Sequence, residues 1–142
     1  MIYLEVKMTS FHRGSVKKNQ ERFEIRERHI YVIVDKFSRC YVGQSVTPKS
    51  RINAHLRGKE ITGKWLEEIG RDVIWAVVDM CCGHYWAGQK LEYKWRAIAL
   101  LNGYNLVDIE GDLNIREDIL QLANECANLW PFHEWQEVSD GW

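Results

Sequence analysis

Two tyrosines ten residues apart, Tyr31 and Tyr41, are followed by Arg51 and His55 at i and i+4, and further along by the acid Glu92. Hydrolysis of a phosphodiester needs an activated water, a cation against the phosphoryl oxygens and help for the departing alkoxide. These five residues hold a candidate for each task. Tyr31 is the expected base. A free phenol with a pKa of about 10 is a poor base at neutral pH, so it needs Mg²⁺, Arg51 or a hydrogen bond to His55 to favour the phenolate. Tyr41 would orient the water or the scissile phosphate. Arg51 offers a planar fork of donors to a phosphate. Glu92 is a hard oxygen ligand of the kind that holds Mg²⁺ together with waters and substrate phosphate. Lys64, in Gly63-Lys64-Trp65, is a weaker candidate for a phosphate contact. Each has a plainer explanation: tyrosines pack in strands, helical glutamates and lysines are ordinarily solvated, and an arginine in an i to i+4 pair ordinarily sits on the surface.

The spacing carries more than the residue types do. His29-Ile30-Tyr31 and Tyr41-Val42-Gly43 form two short strand motifs, continued by Gln44-Ser45, by Arg51 eight residues after Gly43 and by His55 four beyond that. Glu92 follows within Leu91-Glu92-Tyr93-Lys94-Trp95, and Asn102-Gly103-Tyr104-Asn105 closes the series. This order resembles the GIY-YIG nucleases over roughly residues 27 to 108. The resemblance implies an endonuclease that acts on DNA, with Tyr31, Tyr41, Arg51, His55, Glu92 and Asn105 as its catalytic residues and Mg²⁺ or Mn²⁺ bound by Glu92. Two departures stand out: His29 replaces the first glycine, and Gln44 occupies a position where some members carry lysine. A cation's role at Gln44 must therefore be dispensed with or supplied elsewhere. Two rivals remain open, a nucleic-acid-binding module that kept the fold without turnover and a structural or inhibitory protein whose acidic half mimics DNA.

Local patterning predicts the elements that would position these residues. Ile2, Leu4 and Val6 alternate as in a strand, and Arg22 to Arg26 alternates again. His29 to Asp35 and Arg39 to Gly43, joined by Lys36-Phe37-Ser38, read as a hairpin. Pro48 opens a helix with Thr47 as its N-cap and with Ile52 and Leu56 on one face. A short helix is predicted from Thr62 to Ile69, a strand from Val73 to Val78, a long helix from Tyr85 to Asn102 burying Leu91, Trp95, Ile98 and Leu101, and a last helix from Asn114 to Leu129. Trp75, Trp86 and Trp95 fall on apolar faces and are expected in the core. The expectation is an α+β domain whose mainly antiparallel central sheet, of at least three strands, is flanked by helices. It would span residues 27–108, with a basic extension at 1–26 and an acidic helix and aromatic tail at 109–142.

Composition bounds the rest. The chain has 142 residues, enough for one core. No apolar run approaches the length of a membrane span, and the first residues lack the pattern of a secretory signal. A cytoplasmic protein is expected. Cys40, Cys81, Cys82 and Cys126 have no framework spacing and are expected as free thiols in the core. The net charge of −1 conceals a division, since residues 1–60 carry +7 and residues 61–142 carry −8. Arg13, Lys17 and Lys18 of the first half are expected to contact DNA phosphates. A homodimer would bring two active sites to the two strands of a duplex.

Overall fold

The computed structural model describes residues 21–58, 62–109 and 115–130, together with the backbone of residues 136–137. The strand expected at 2–6, the basic loop with Arg13, Lys17 and Lys18, and the aromatic tail from Pro131 to Trp135 lie outside the described residues.

Strand β1 (Arg26–Asp35) is central, and its alternation decides the architecture. Ile30, Val32 and Val34 enter one core with Cys40, Val42, Trp95 and Ile98, whereas Tyr31 and Ile33 enter another with Ile52, Leu56, Trp65 and Trp75. Successive side chains on a strand point to opposite faces, and a strand covered on both faces reads as a continuous apolar run. Strand β2 (Arg39–Ser45) returns antiparallel after a tight turn. Asp35 holds that turn, accepting hydrogen bonds from the Phe37 and Arg39 backbone N–H groups. The chain continues through α1 (Pro48–Leu56), α2 (Gly63–Glu68), β3 (Val73–Gly83) and α3 (Tyr85–Leu101). It ends with β4 (Asn105–Leu106), α4 (Glu117–Cys126), a 3-10 turn at Ala127–Leu129 and β5 (Gln136–Glu137).

The sheet order is β4-β2-β1-β3-β5. Among the described residues, only the β2–β4 pairing is parallel. Helices α1 and α2 contribute Ile52, Leu56, Trp65 and Leu66 to the core on the Tyr31 face, and α3 and α4 contribute Trp95, Ile98 and Ala123 on the other. This is the expected α+β arrangement. Among the described residues, no helix is long and apolar enough to cross a membrane.

Several local expectations are corrected. Residues 21–23 form a helical turn instead of a strand, because Arg28 gathers the Glu21 and Glu24 carbonyls with its guanidinium and Ile25 finds no face to bury. β3 runs five residues past its expected end. Thr47 holds the N-cap position of α1 without a side-chain cap; its own N–H donates to Ser45 Oγ instead. Trp86 and Leu101 are exposed at the two ends of α3, Trp86 with its ring against Phe23 and Tyr85. All four cysteines are free, but only Cys40 is buried; Cys82 is exposed because consecutive residues of β3 alternate faces.

Candidate active site

β4 pairs with β2 only at Arg39 and Cys40, so among the described residues no strand covers the remaining edge of β2. A cleft of about 350 Å³ opens there. Its lining includes Tyr31 from β1, Tyr41, Gly43 and Gln44 from β2, Ser50 and Arg51 from α1, and Tyr85 and Glu92 from α3. Arg22 and Arg28 complete one wall.

Tyr31 lies on the floor, fully buried and directly across the ladder from Gly43. The missing side chain at Gly43 makes room for the phenol. A Cβ there would stand 2.5 Å from Tyr31 Oη and 2.9 Å from Cε1 of Tyr41. Tyr41 shares this face two residues back along β2, its ring centroid 6.1 Å from that of Tyr31. Gly88 plays a similar part in α3, because a Cβ there would collide with Gln44 Oε1. The helix can therefore approach β2 closely and bring Glu92 to the cleft.

Behind the tyrosines stands His55, with no exposed surface. Its Nε2 is 2.7 Å from Tyr31 Oη, and its Nδ1 is hydrogen-bonded to Thr62 Oγ1. Burial, reinforced by the Arg51 charge, pushes the His55 pKa down to about 4, so the ring is neutral at pH 7. Tyr41 is shifted the other way. Burial together with Asp108 and Glu92 raises its pKa against the opposing pull of Arg51 and Arg96, which keeps its hydroxyl protonated.

Glu92 sits in an ion pair with Arg96 at 2.7 Å, and Arg96 reaches Asp108 at 3.3 Å. Gln44 Nε2 donates to Glu92 Oε2 at 3.4 Å and to the Tyr85 carbonyl at 3.3 Å. Burial raises the Glu92 pKa, which Arg96 and Gln44 oppose and Asp108 reinforces. Among the described residues, no group of three or more His, Cys, Asp or Glu side chains is placed to hold a metal ion. A lone carboxylate suits Mg²⁺, which retains waters and draws further ligands from substrate phosphates. The two Glu92 oxygens accept from Arg96 and Gln44 respectively, and a carboxylate oxygen has two lone-pair directions. The carboxylate therefore fits that ion.

Five of the expected residues converge on this cleft: Tyr31, Tyr41, Arg51 and Glu92 line it, and His55 supports its floor. Two others lie elsewhere. Asn105 pairs across from Arg39, at the opposite end of β2, and its N–H donates to the Ser38 carbonyl. Lys64 is exposed on α2 and is not part of the lining. Nothing in the residue pattern marks Thr62 or Tyr85 for the site, and Arg22 alternates like a strand residue. Arg22 stacks its guanidinium 4.7 Å from the Tyr85 ring centroid. Arg28 is buried against the Gly83, Glu21 and Glu24 carbonyls. Compared with protein-family models, curated proteins and solved structures, the chain matches none.

Proposed function

We propose that the chain is a metal-dependent endonuclease that hydrolyses phosphodiester bonds in DNA in the manner of the GIY-YIG nucleases. The observation that carries this reading is the 2.7 Å hydrogen bond between Tyr31 Oη and His55 Nε2, at the floor of a cleft walled by Tyr41, Arg51 and Glu92. A phenol that lines a cleft and is tied to a buried imidazole suits proton transfer at its oxygen.

In the reaction, the Tyr31 phenolate takes a proton from water as the water oxygen attacks phosphorus and the P–O bond to the departing alkoxide breaks. Tyr41, held protonated, donates to the water or to a phosphoryl oxygen. Arg51 presents its fork of donors to the phosphate. Glu92 would hold Mg²⁺ or Mn²⁺, and that ion, when bound, supplies charge neutralisation at the phosphoryl oxygens and the leaving group. Gln44 brings no charge to its position, and Arg22 supplies a cation on the same wall. A homodimer would let two such sites cut both strands of a duplex.

A second reading, a DNA-binding module without turnover, is favoured by the 2.7 Å Arg96–Glu92 ion pair, which engages the carboxylate meant for the metal. Incubating supercoiled plasmid with the protein, with Mg²⁺, Mn²⁺ or chelator, and sequencing the product ends separates the two. Metal-dependent nicking or linearisation supports the nuclease. Binding without cleavage under every condition supports the module.

A further inference from the structure

Thr62 occupies the N-cap position of α2, where a threonine hydroxyl ordinarily accepts a hydrogen bond from a backbone N–H of the first turn. Here it makes no such bond. Its backbone, at φ −80° and ψ −6°, is helical and not extended as a capping residue's usually is. The side chain instead meets His55 Nδ1 in the interior, and Thr62 is almost fully buried. A local helix rule is broken at the residue behind the candidate base, and such exceptions cluster where function competes with local preference.

Counting protons favours one direction for the two bonds, because Tyr31 borders the cleft and can turn its own proton there, whereas Thr62 does not line it. The neutral imidazole carries one N–H, shared between no more than two positions. The Thr62 hydroxyl carries one proton, and among the described residues its oxygen meets no acceptor other than Nδ1. A buried hydroxyl that donates to nothing costs roughly 1–3 kcal/mol, so the proton on Thr62 Oγ1 goes to Nδ1. The imidazole proton then resides on Nε2, facing Tyr31 Oη across 2.7 Å. Which imidazole nitrogen is protonated follows from the bond made by the other.

We propose that Thr62 is a positioning residue: by donating to His55 Nδ1 it fixes the proton on Nε2 and makes His55 a hydrogen-bond donor to Tyr31. His55 then does not take the tyrosine's proton. It stabilises the phenolate from behind, while the phenolic proton is left for the cleft side. The consequence for catalysis rests on the reading of Tyr31 as the base of a nuclease; the protonation pattern itself does not.

The test is nitrogen-15 NMR of the histidine rings in the full-length chain at pH 7, with the His55 signals assigned by their loss in His55→Gln. The expected result is a protonated Nε2 and an unprotonated Nδ1 in the wild type and in Thr62→Ser, which restores the hydroxyl. Thr62→Val, which removes the hydroxyl at similar size, should leave Nδ1 unprotonated but shift its nitrogen-15 signal, because that nitrogen loses the proton it accepted. Its cleavage should fall on the order of 10-fold, less than the loss of a whole general base, and Thr62→Ser should recover it. A wild-type His55 protonated on Nδ1 overturns the proposal, even if Thr62→Val fails to fold. So does an unchanged Nδ1 signal in folded Thr62→Val. A wild type that shows the expected pattern but cuts no DNA leaves the Thr62 assignment standing and overturns the nuclease reading.

Discussion

Gly43 lies directly across the β1–β2 ladder from Tyr31, and the space its side chain would fill is taken by the tyrosine's phenol. A Cβ there would stand 2.5 Å from Oη, so Gly43→Ala must displace the phenol or the strand that carries it. Either movement breaks the contact with His55. The expected outcome is a cleavage rate lowered by a factor on the order of 10² or more, with an overpacking cost of about 1–3 kcal/mol in urea unfolding. Cleavage at the wild-type rate in Gly43→Ala would show that the position of the Tyr31 hydroxyl does not matter.

The two tyrosines should separate by role. Tyr31→Phe removes only the hydroxyl that bonds His55, and the ring still packs against Ile52 and Trp65. It should lose a factor on the order of 10² to 10⁴ in single-turnover cleavage. Tyr41→Phe should cost less, because water can replace an orienting hydroxyl in part. If Tyr41→Phe is the more damaging change, the two roles are exchanged. If both variants cut normally, no tyrosine acts as the base.

Much of this arrangement is legible in the chain and some of it is not, for identifiable reasons. The alternation from Ile30 to Val34 specifies a strand buried on both faces, and Pro48 with Ile52 and Leu56 specifies the helix that carries Arg51 and His55. Periodicity works there because one element buries one stripe. Thr62 is not legible in this way, since it reaches His55 through tertiary contact from the start of another helix, where its residue type suggests only a cap. Trp86 misleads in the opposite way: at the first turn of α3 its ring meets Phe23 and Tyr85 and stays exposed instead of entering the core. Arg22 and Ile25 alternate like strand residues, yet the carbonyl-gathering guanidinium of Arg28 turns that segment helical. The place of Asn105 in the sequence pattern suggests the site, but the β2–β4 pairing sets it at the far end of the strand.

Glu92 should be needed for the metal and not for DNA. Glu92→Gln keeps the side chain's size and a carbonyl acceptor but removes the charge that would hold a divalent ion. The expected result is loss of Mg²⁺-dependent cleavage with little change in DNA affinity at fixed salt. The affinity comparison must hold salt fixed because phosphate contacts dominate it. Wild-type cleavage in Glu92→Gln would place the metal elsewhere or remove it from the reaction. Loss of binding and cleavage together would point to misfolding around the Arg96–Asp108 ion pair.

Acid should destabilise the fold through His55, and the sign follows from its low pKa. The ring takes up protons near 6.5 when unfolded and only near 4 when folded, owing to its burial and then to Arg51. Between those values the unfolded chain binds more protons, so stability is full above about pH 6.5 and is lost as pH falls through that window. Between pH 7 and pH 4.5 the loss from this group is on the order of 2 kcal/mol. Asp35 and Asp79 do not contribute there. Burial raises both, but hydrogen-bond donors outweigh it, Trp65, Arg39 and Phe37 for Asp35 and Trp95, Lys94 and Met80 for Asp79, so each acts below 3.8. Glu92, raised above 4.5 by burial, works in the opposite direction, because its folded form binds the extra proton and gains stability as pH falls. The measurement is urea unfolding of wild type and His55→Gln at both pH values. The variant should be less stable at pH 7, having lost the bonds to Tyr31 and Thr62, yet its stability should fall less between pH 7 and 4.5. Taking the difference between the two proteins cancels Glu92 and the other histidines. Equal falls in the two proteins would mean that His55 is protonated in the folded state as readily as in the unfolded one, and its part as a neutral partner of Tyr31 would fail with it.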